Sequence, residues 1–183
     1  MKALLMDVGN TRIKWGVSED GDIRKTGHIS QKRVRDGGLQ VLTTRIPRHV
    51  DEVFVSNVAG ATFATRLSGV VGAHCDQTVR FARSERSGWG LTNSYTQPRR
   101  MGVDRWVAMV GAWAEVEAAC LVVDAGTAIT IDAIDAAGQH LGGQIIPGVA
   151  TMAGALTEAT SDIPAVRPGP GRGDADLAVL GRT

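Results

Sequence analysis

One short pattern occurs twice in this sequence. LLMDVGNTRIKWGV spans residues 4–17, and LVVDAGTAITIDAI spans residues 121–134. In each copy an apolar run leads into Asp-x-Gly, a threonine follows one or two residues later, and apolar and polar residues then alternate. Short apolar runs are typical of buried strands, and alternation is typical of half-buried strands. The pattern therefore predicts a fold in which one strand-turn-strand unit is duplicated, with its two aspartates 117 positions apart.

Each copy is followed by a second turn and a further strand. Asp20-Gly21 predicts a hairpin turn before a strand at 23–29, and Ala136-Ala137-Gly138 predicts another before a strand at 140–146. We expect two three-stranded meanders, and we expect their first strands, at 3–6 and 120–123, to be buried. The other predicted elements are a strand at 53–55, helices at 59–69, 102–119 and 148–157, and an irregular segment at 84–101.

Composition argues against several classes of protein. Twenty basic and nineteen acidic side chains leave a formal charge of +1, so no global field attracts nucleic acid or an anionic membrane. No Gly-Lys pair occurs, which excludes a Walker-A phosphate loop. Cys75 and Cys120 have no metal-ligand spacing and are expected to be free thiols. The N-terminal apolar run is too short for a signal peptide, so we expect a cytoplasmic protein.

The duplicated loops carry groups that suit phosphate binding. A single Asp-x-Gly is usually turn chemistry, but two copies at the ends of two strands favour a shared site. Each glycine lets backbone N–H groups approach a phosphate, and the carboxylates of Asp7 and Asp124 can hold a divalent cation or its waters. Lys14 adds a positive charge for the terminal phosphates of a nucleotide triphosphate. We therefore expect the two loops to hold a nucleotide between them.

A phosphoryl acceptor also needs a base for its hydroxyl proton, and MGVDRW provides a candidate. Asp104 falls in the first turn of the predicted helix, where the helix N-terminus favours a carboxylate. Arg105 has a planar fork that suits an anionic group of the substrate. The alternative for Gly-Val-Asp-Arg, taken alone, is an ordinary helix start with an acidic first turn.

Other candidate sites are set aside on spacing. Gly-Pro-Gly-Arg-Gly at 169–173 follows a proline-broken segment rather than a strand, so we expect a loop there and not a dinucleotide site. The histidines have no metal-ligand spacing and are expected to be surface or packing residues; they are His28, His49, His74 and His140.

Four segments together resemble the type III pantothenate kinases. They are DVGNTRIKWG at 7–16, YTQPRRMGVDR at 95–105, DAGTAITID at 124–132 and GGQIIPG at 142–148. They occur in the family's order and cover nearly the whole chain. The family belongs to the superfamily of acetate and sugar kinases, heat-shock ATPases and actin. The resemblance thus implies an α/β chain with a duplicated, actin-like, ribonuclease-H-like fold.

The resemblance also implies a reaction, which is ATP-dependent phosphorylation of pantothenate to 4′-phosphopantothenate, the first step of coenzyme A biosynthesis. Asp104 would be the catalytic base, Asp7 would lie near Mg²⁺, and Asp124 would hold a monovalent cation, K⁺ or NH₄⁺. The implied ATP-binding residues are Asp7, Val8, Gly9, Asn10, Thr11, Arg12, Ile13, Lys14, Gly126 and Thr127. The implied pantothenate-binding residues are Tyr95, Gly102, Val103, Asp104, Arg105 and Thr183.

The family's chains are homodimeric and longer than this sequence. By resemblance, Thr183 would reach the partner subunit's pantothenate site. The implied domains are an N-terminal domain at 1–101 and the start of a second at 102–183, whose C-terminal part is missing. We therefore expect a truncated second domain, and we expect the 183-residue form by itself to be poorly stable or inactive.

Other functions use the same loops. The family includes the Bvg accessory factor, named for an effect on transcription, and a nucleotide-binding regulator of that kind would be marked by loss of Asp104 or Lys14. Both residues are present. A kinase of the same fold could instead act on a sugar or a carboxylate, but the 95–105 segment favours pantothenate. A structural, actin-like filament is the weakest alternative, since nothing in the sequence marks a polymer interface.

Overall fold

The computed structural model describes residues 1–159, which form three β-sheets and four α-helices. The strands are Lys2–Val8 (β1), Arg12–Glu19 (β2), Asp22–Ser30 (β3), Glu52–Asn57 (β4), Val79–Phe81 (β5), Ser87–Gly88 (β6), Leu91–Thr92 (β7), Cys120–Ala125 (β8), Ala128–Ile134 (β9) and His140–Pro147 (β10). The helices are Gln31–Gly37 (α1), Ala61–Cys75 (α2), Val103–Val116 (α3) and Val149–Ala159 (α4). Within this part of the chain, no helix is long and apolar enough to cross a membrane.

The first sheet has the strand order β3-β2-β1-β4-β5. β1 pairs with β2 in antiparallel and with β4 in parallel orientation, so it lies at the centre of the sheet. The predicted alternation in β2 is confirmed, since Ile13, Trp15 and Val17 are buried between exposed or half-buried neighbours. Asp20 and Gly21 both have positive φ, as a tight hairpin turn requires.

Helix α2 completes the core of this half. It buries Leu67, Val71 and Cys75 against the sheet. The predicted helix at 59–69 is confirmed in kind, but its bounds were wrong. The helix begins after Gly60, which has a φ of 93°, and it continues to Cys75, where Asp76 adopts the left-handed conformation. Burial of a long apolar stripe extends the helix beyond its expected end.

The second sheet repeats the meander of the first, with the order β10-β9-β8. Asp7 of β1 lies opposite Lys14 of β2, and Asp124 of β8 lies opposite Thr130 of β9. The two aspartates therefore hold equivalent positions, and the predicted duplication is confirmed. The second copy has no lysine at the position equivalent to Lys14.

Helix α3 packs between the two halves, against β4 on one side and β8 and β9 on the other. It buries Trp106 and Met109. The prediction of a helix at 102–119 was too long, because Glu117 turns into the left-handed conformation with a φ of 44°. The prediction that the strand at 120–123 is buried was wrong on one face. Leu121 and Val123 point away from α3 and are 69% and 59% exposed.

The segment at 84–101 is largely irregular, as predicted. It contains only the two-residue strands β6 and β7 and a short 3₁₀ turn at Pro98–Arg100. The guanidinium of Arg86 donates to the carbonyls of Tyr95 and Thr96 at 2.8 and 2.6 Å and thereby holds this segment. The sequence predictions for 169–173 and Thr183 lie outside the described residues, and the domain boundary at 101 and 102 stays a prediction.

Candidate active site

Each of the two Asp-x-Gly loops is closed by a hydrogen bond from the N–H of its glycine. In the first loop the Gly9 N–H donates to the Arg12 carbonyl at 3.0 Å, and in the second the Gly126 N–H donates to the Ala128 carbonyl at 2.9 Å. The second loop is one residue shorter. Each turn closes directly onto the following strand, so the loop backbone is held at the end of its sheet.

The loops meet through their threonines. The hydroxyls of Thr11 and Thr127 lie 2.7 Å apart, and both side chains are exposed. Because each hydroxyl belongs to a different half of the chain, this hydrogen bond connects the two halves directly. Two exposed hydroxyl donors, with loop N–H groups beside them, can surround a phosphate.

Both loops are also held from behind, by the residue that follows the third strand of each half. The backbone N–H of Gln31 donates to the Thr11 carbonyl, and its side-chain amide donates to the Gly9 carbonyl, each at 2.8 Å. In the second half, the Gly148 N–H donates to the Thr127 carbonyl at 2.9 Å. Sequence reasoning missed Gln31, which is buried although it opens the basic run QKRVR.

Below the loops, a cavity of about 540 Å³ lies between the halves, and we call it the cleft. Asp7, Lys14, Asp104 and Asp124 all line it, so the structure brings together these four predicted residues. Ser56 also lines the cleft and lies next to Asp7 in the sheet. A second cavity of about 590 Å³, beside Arg83 and the Pro98 turn, contains none of the predicted site residues.

The pKa of the Asp7 carboxylate, which lines the cleft, is raised above its ordinary value. Burial is the main cause that raises its pKa, and the negative charges of Asp104 and Asp124 raise it further. Lys14 opposes this effect from 3.8 Å away. Three acidic groups thus face one lysine, which favours a cationic ligand that would balance them.

The residues of the cleft fit Mg²⁺ held jointly with phosphates. No cluster of three or more metal-ligating side chains occurs among residues 1–159, so a closed all-protein cage is absent from this region. Mg²⁺ commonly binds through one or two carboxylates, with phosphate oxygens and waters as its other ligands. The buried hydroxyl of Ser56 is close to Asp7 but makes no well-formed hydrogen bond in the described chain. This polar atom also fits a cleft that takes a polar ligand.

Tyr95 and Arg105 form a separate contact beside α3. The guanidinium of Arg105 is 5% exposed and binds Asp132 through Nε and Nη2 at 2.9 and 2.5 Å. Its Nη1 donates to the Tyr95 hydroxyl at 3.0 Å. Asp132 raises the pKa of Arg105 above its usual range through these bonds. The fork that we expected to face an anionic substrate is therefore bound within the protein.

The other predicted residues differ in what they present. Val8 and Ile13 are fully buried, so only their backbone groups are available to a ligand, whereas Asn10 and Arg12 are exposed. Gly102 and Val103 begin α3 and are half-buried. A Cβ at Gly102 would lie 2.5 Å from Oδ1 of Asp104, so a larger residue there would require the carboxylate to move.

The known proteins that this chain resembles point to one family. A family model described as type III pantothenate kinase matches residues 3–182. The chain belongs to the type III pantothenate kinase family. A type III pantothenate kinase of Dechloromonas aromatica is 40% identical over 159 residues, covering 87% of this chain and 65% of that protein. One of Teredinibacter turnerae is 40% identical over 161 residues, covering 87% and 64%. The chain thus spans a little under two thirds of these curated relatives.

Solved structures of lower identity share the fold. A candidate Baf family transcriptional activator from Campylobacter jejuni matches 86% of this chain and 60% of its own, with a TM-score of 0.52 and 23% identity. A candidate 2-dehydro-3-deoxygalactonokinase from Sinorhizobium meliloti matches 86% and 55%, with a TM-score of 0.50 and 14% identity. At these identities the likeness shows the fold alone, and it is the actin-like α/β fold that the sequence resemblance implies.

Proposed function

We propose that this protein transfers the γ-phosphoryl group of ATP to the hydroxyl of pantothenate. The observation that carries the proposal is the contact of Thr11 with Thr127 above a cleft lined by Asp7, Asp104 and Asp124. Membership of the type III pantothenate kinase family supports the choice of pantothenate.

The loops are proposed to hold ATP. The backbone of residues 7–14, with Gly126 and Thr127, surrounds the phosphates, and the Lys14 ammonium pairs with the terminal ones. Asp7 holds Mg²⁺ directly or through water, and Mg²⁺ supplies charge neutralisation for the transferred phosphoryl group. Asp124, which is exposed and lines the same cleft, is proposed to hold K⁺ or NH₄⁺.

Asp104 is proposed to accept the hydroxyl proton. It lies in the first turn of α3, and the backbone N–H of Arg105 donates to its Oδ1 at 2.8 Å. That bond orients the carboxylate and leaves Oδ2 for the substrate. A base in this position lets the hydroxyl attack as its proton leaves.

Pantothenate is proposed to bind beside Asp104, against Tyr95 and residues 102–105. The guanidinium of Arg105 is already bound to Asp132. We therefore propose that Arg105 holds Tyr95 in place beside pantothenate, and that it does not bind the pantothenate carboxylate through both edges of its guanidinium. Thr183 of the partner subunit is proposed to complete the site in a homodimer. Sedimentation of the purified chain tests the proposed homodimer. We also propose that the protein is cytoplasmic.

The test is ADP release by the purified protein with ATP, Mg²⁺ and K⁺, with and without pantothenate, together with the mass of the product. Because the 183-residue form is expected to be inactive by itself, the assay is also run on a chain extended to the length of the curated relatives. From that chain we expect release that depends on pantothenate and a product heavier by one phosphoryl group. Glucose and acetate are the controls for the alternative kinase substrates. Release with either control but not with pantothenate would contradict the proposal, as would ATP binding with no acceptor-dependent turnover, which the regulatory alternative predicts.

A further inference from the structure

A buried hydrogen-bond network lies between β9, β10 and the 94–95 segment, and the proposed roles use only its contact between Arg105 and Tyr95. Its centre is Asp132, which is 1% exposed. The Asp132 carboxylate accepts two hydrogen bonds from Arg105 and lies 3.0 Å from Nε2 of His140. His140 is also 1% exposed. The sequence prediction that His140 is a surface or packing residue is therefore incomplete, because its buried ring connects two polar partners.

Both arms of the network end on neighbouring residues. Through Arg105, Asp132 reaches the Tyr95 hydroxyl, and the guanidinium carbon lies 5.8 Å from the centre of the Tyr95 ring. Through His140, it reaches the Ser94 hydroxyl, which lies 2.9 Å from Nδ1. The Tyr95 and His140 rings also meet edge to face at 6.3 Å. Two adjacent loop residues are thus held by a single carboxylate.

The network is tightly enclosed. A Cβ at Gly143 would collide with both the Asp132 carboxylate and the Arg105 guanidinium, so β10 lies directly against the ion pair. A buried charge is tolerated when it is paired and hydrogen-bonded, and removing one partner leaves the other uncompensated. The arrangement of Tyr95 therefore depends on Asp132, although the two residues are connected only through Arg105 and His140.

Ser94, His140 and Asp132 have the order of a nucleophilic triad, but their electrostatics do not suit that role. A triad carboxylate must stabilise the protonated histidine that forms during the reaction. Here the cation of Arg105 already balances the Asp132 charge through two hydrogen bonds. A positioning role explains every contact of the network.

We propose that Asp132 and His140 are positioning residues, which fix Tyr95 and the first turn of α3 as the wall of the acceptor site. This inference rests on the proposed function for the identity of the acceptor. Among the described residues, the predicted contacts to the acceptor all lie at 95–105. The inference adds Asp132 and His140, which lie further along the chain, to the residues that shape this site.

The direct test follows the ring signal of Tyr95, the only tyrosine in the chain, by NMR of protein labelled at tyrosine. We expect Asp132→Asn to shift this signal most. Since Asp132→Asn can unfold the chain, His140→Gln is the second variant, because glutamine keeps a donor towards Asp132 but lacks the ring between Tyr95 and Ser94. We expect it to produce a smaller shift.

Asp135→Asn is the matched control. Asp135 lies in the same hairpin and accepts hydrogen bonds from the Ala137 and Gln139 N–H groups, outside the network. We expect it to leave the Tyr95 signal unchanged. An unchanged signal in His140→Gln, or an equal shift in Asp135→Asn, would overturn the positioning role.

Kinetics provide the second readout. For His140→Gln we expect kcat/KM for pantothenate to fall by roughly 10-fold to 100-fold, mainly through KM, with KM for ATP within about twofold of wild type. Equal changes in both KM values would indicate general destabilisation and overturn the role. If the wild-type sequence, extended to the length of the curated relatives, shows no turnover of pantothenate, the proposed function fails, and the Tyr95 signal alone then decides the positioning role.

Discussion

At the scale of single residues, Asp7 shows a conflict between folding and ligand binding. Its pKa is raised in the folded chain, chiefly by burial and then by Asp104 and Asp124. Protonated Asp7 therefore stabilises the fold below the usual aspartate pKa of about 4, and this contribution is lost as the pH rises through the raised value. At neutral pH the ionised carboxylate opposes folding of the ligand-free protein.

We therefore predict that Asp7→Asn raises the melting temperature at pH 7 and that the difference from wild type shrinks as the pH falls towards 4. The same variant should bind Mg–ATP more weakly, since Asp7 is proposed to hold the metal. Thermal unfolding at several pH values, with and without Mg–ATP, measures both effects. A variant that melts below wild type at pH 7 without ligand would contradict the account.

Asp104 permits a kinetic prediction at the same scale. A positioned general base contributes about 10² to 10⁴-fold, so Asp104→Asn should lower kcat by that factor, or roughly 3 to 5 kcal/mol in the barrier. ATP affinity should change little, because Asp104 is proposed to contact the acceptor. Steady-state ADP release tests the predicted fall in kcat, and calorimetric titration tests the predicted ATP affinity. A turnover number within a few-fold of wild type would show that another group is the base.

Sequence reasoning found some of these residues and missed others for a physical reason. Asp7, Lys14 and Asp124 carry local signals, because each follows or faces a strand end within a repeated pattern. Gln31, Ser56 and Asp132 act through partners more than twenty residues away or across the sheet, and no local spacing marks them. Gln31 belongs to a basic run that is typical of a solvated segment, and Asp132 occupies a polar position in an alternating strand.

At the scale of elements, Gly148 is the tightest packing point of the second loop. A Cβ there would collide with the carbonyls of Gly126 and Thr127. We predict that Gly148→Ala displaces the loop. The loss of free energy of ATP binding should exceed the loss of free energy of unfolding. Gly111→Ala is the matched control, because nothing lies near its Cβ position in α3. It should stabilise the chain by about 1 kcal/mol, as alanine does in place of glycine in a helix.

Urea unfolding and ATP titration of both variants check this pair of predictions. Normal ATP affinity in Gly148→Ala would mean that the loop does not need its close approach to the start of α4.

The sequence predicted strands and turns more accurately than it predicted helix ends and the exposure of strand faces. The long strands and their turns were predictable, because alternation and Asp-Gly or Gly turns are local, whereas the short strands β5, β6 and β7 were not predicted. Helix ends were not, because α2 and α3 stop where Asp76 and Glu117 adopt positive φ without a glycine. The exposure of Leu121 and Val123 also could not be predicted, since an apolar run does not show what covers each face of its strand.

At the scale of the whole molecule, the proposed ATP site requires groups from both halves of the chain. The duplication predicted from sequence is present in the strand order, in the register of Asp7 and Asp124, and in the paired loop turns. Only the first copy supplies a lysine, so the halves are similar in backbone but different in chemistry. Substitutions in either half should therefore weaken ATP binding.

The most direct measurement is a double-mutant cycle for Mg–ATP binding by calorimetry, with Lys14→Ala in the first half and Thr127→Val in the second. Each contact with a charged phosphate is worth about 1.5 to 3 kcal/mol, so each single variant should weaken binding roughly 10-fold to 100-fold. The double variant should deviate from additivity, because both groups contact one nucleotide. Normal affinity in Thr127→Val would contradict the account, since the nucleotide would then be held by the first half alone.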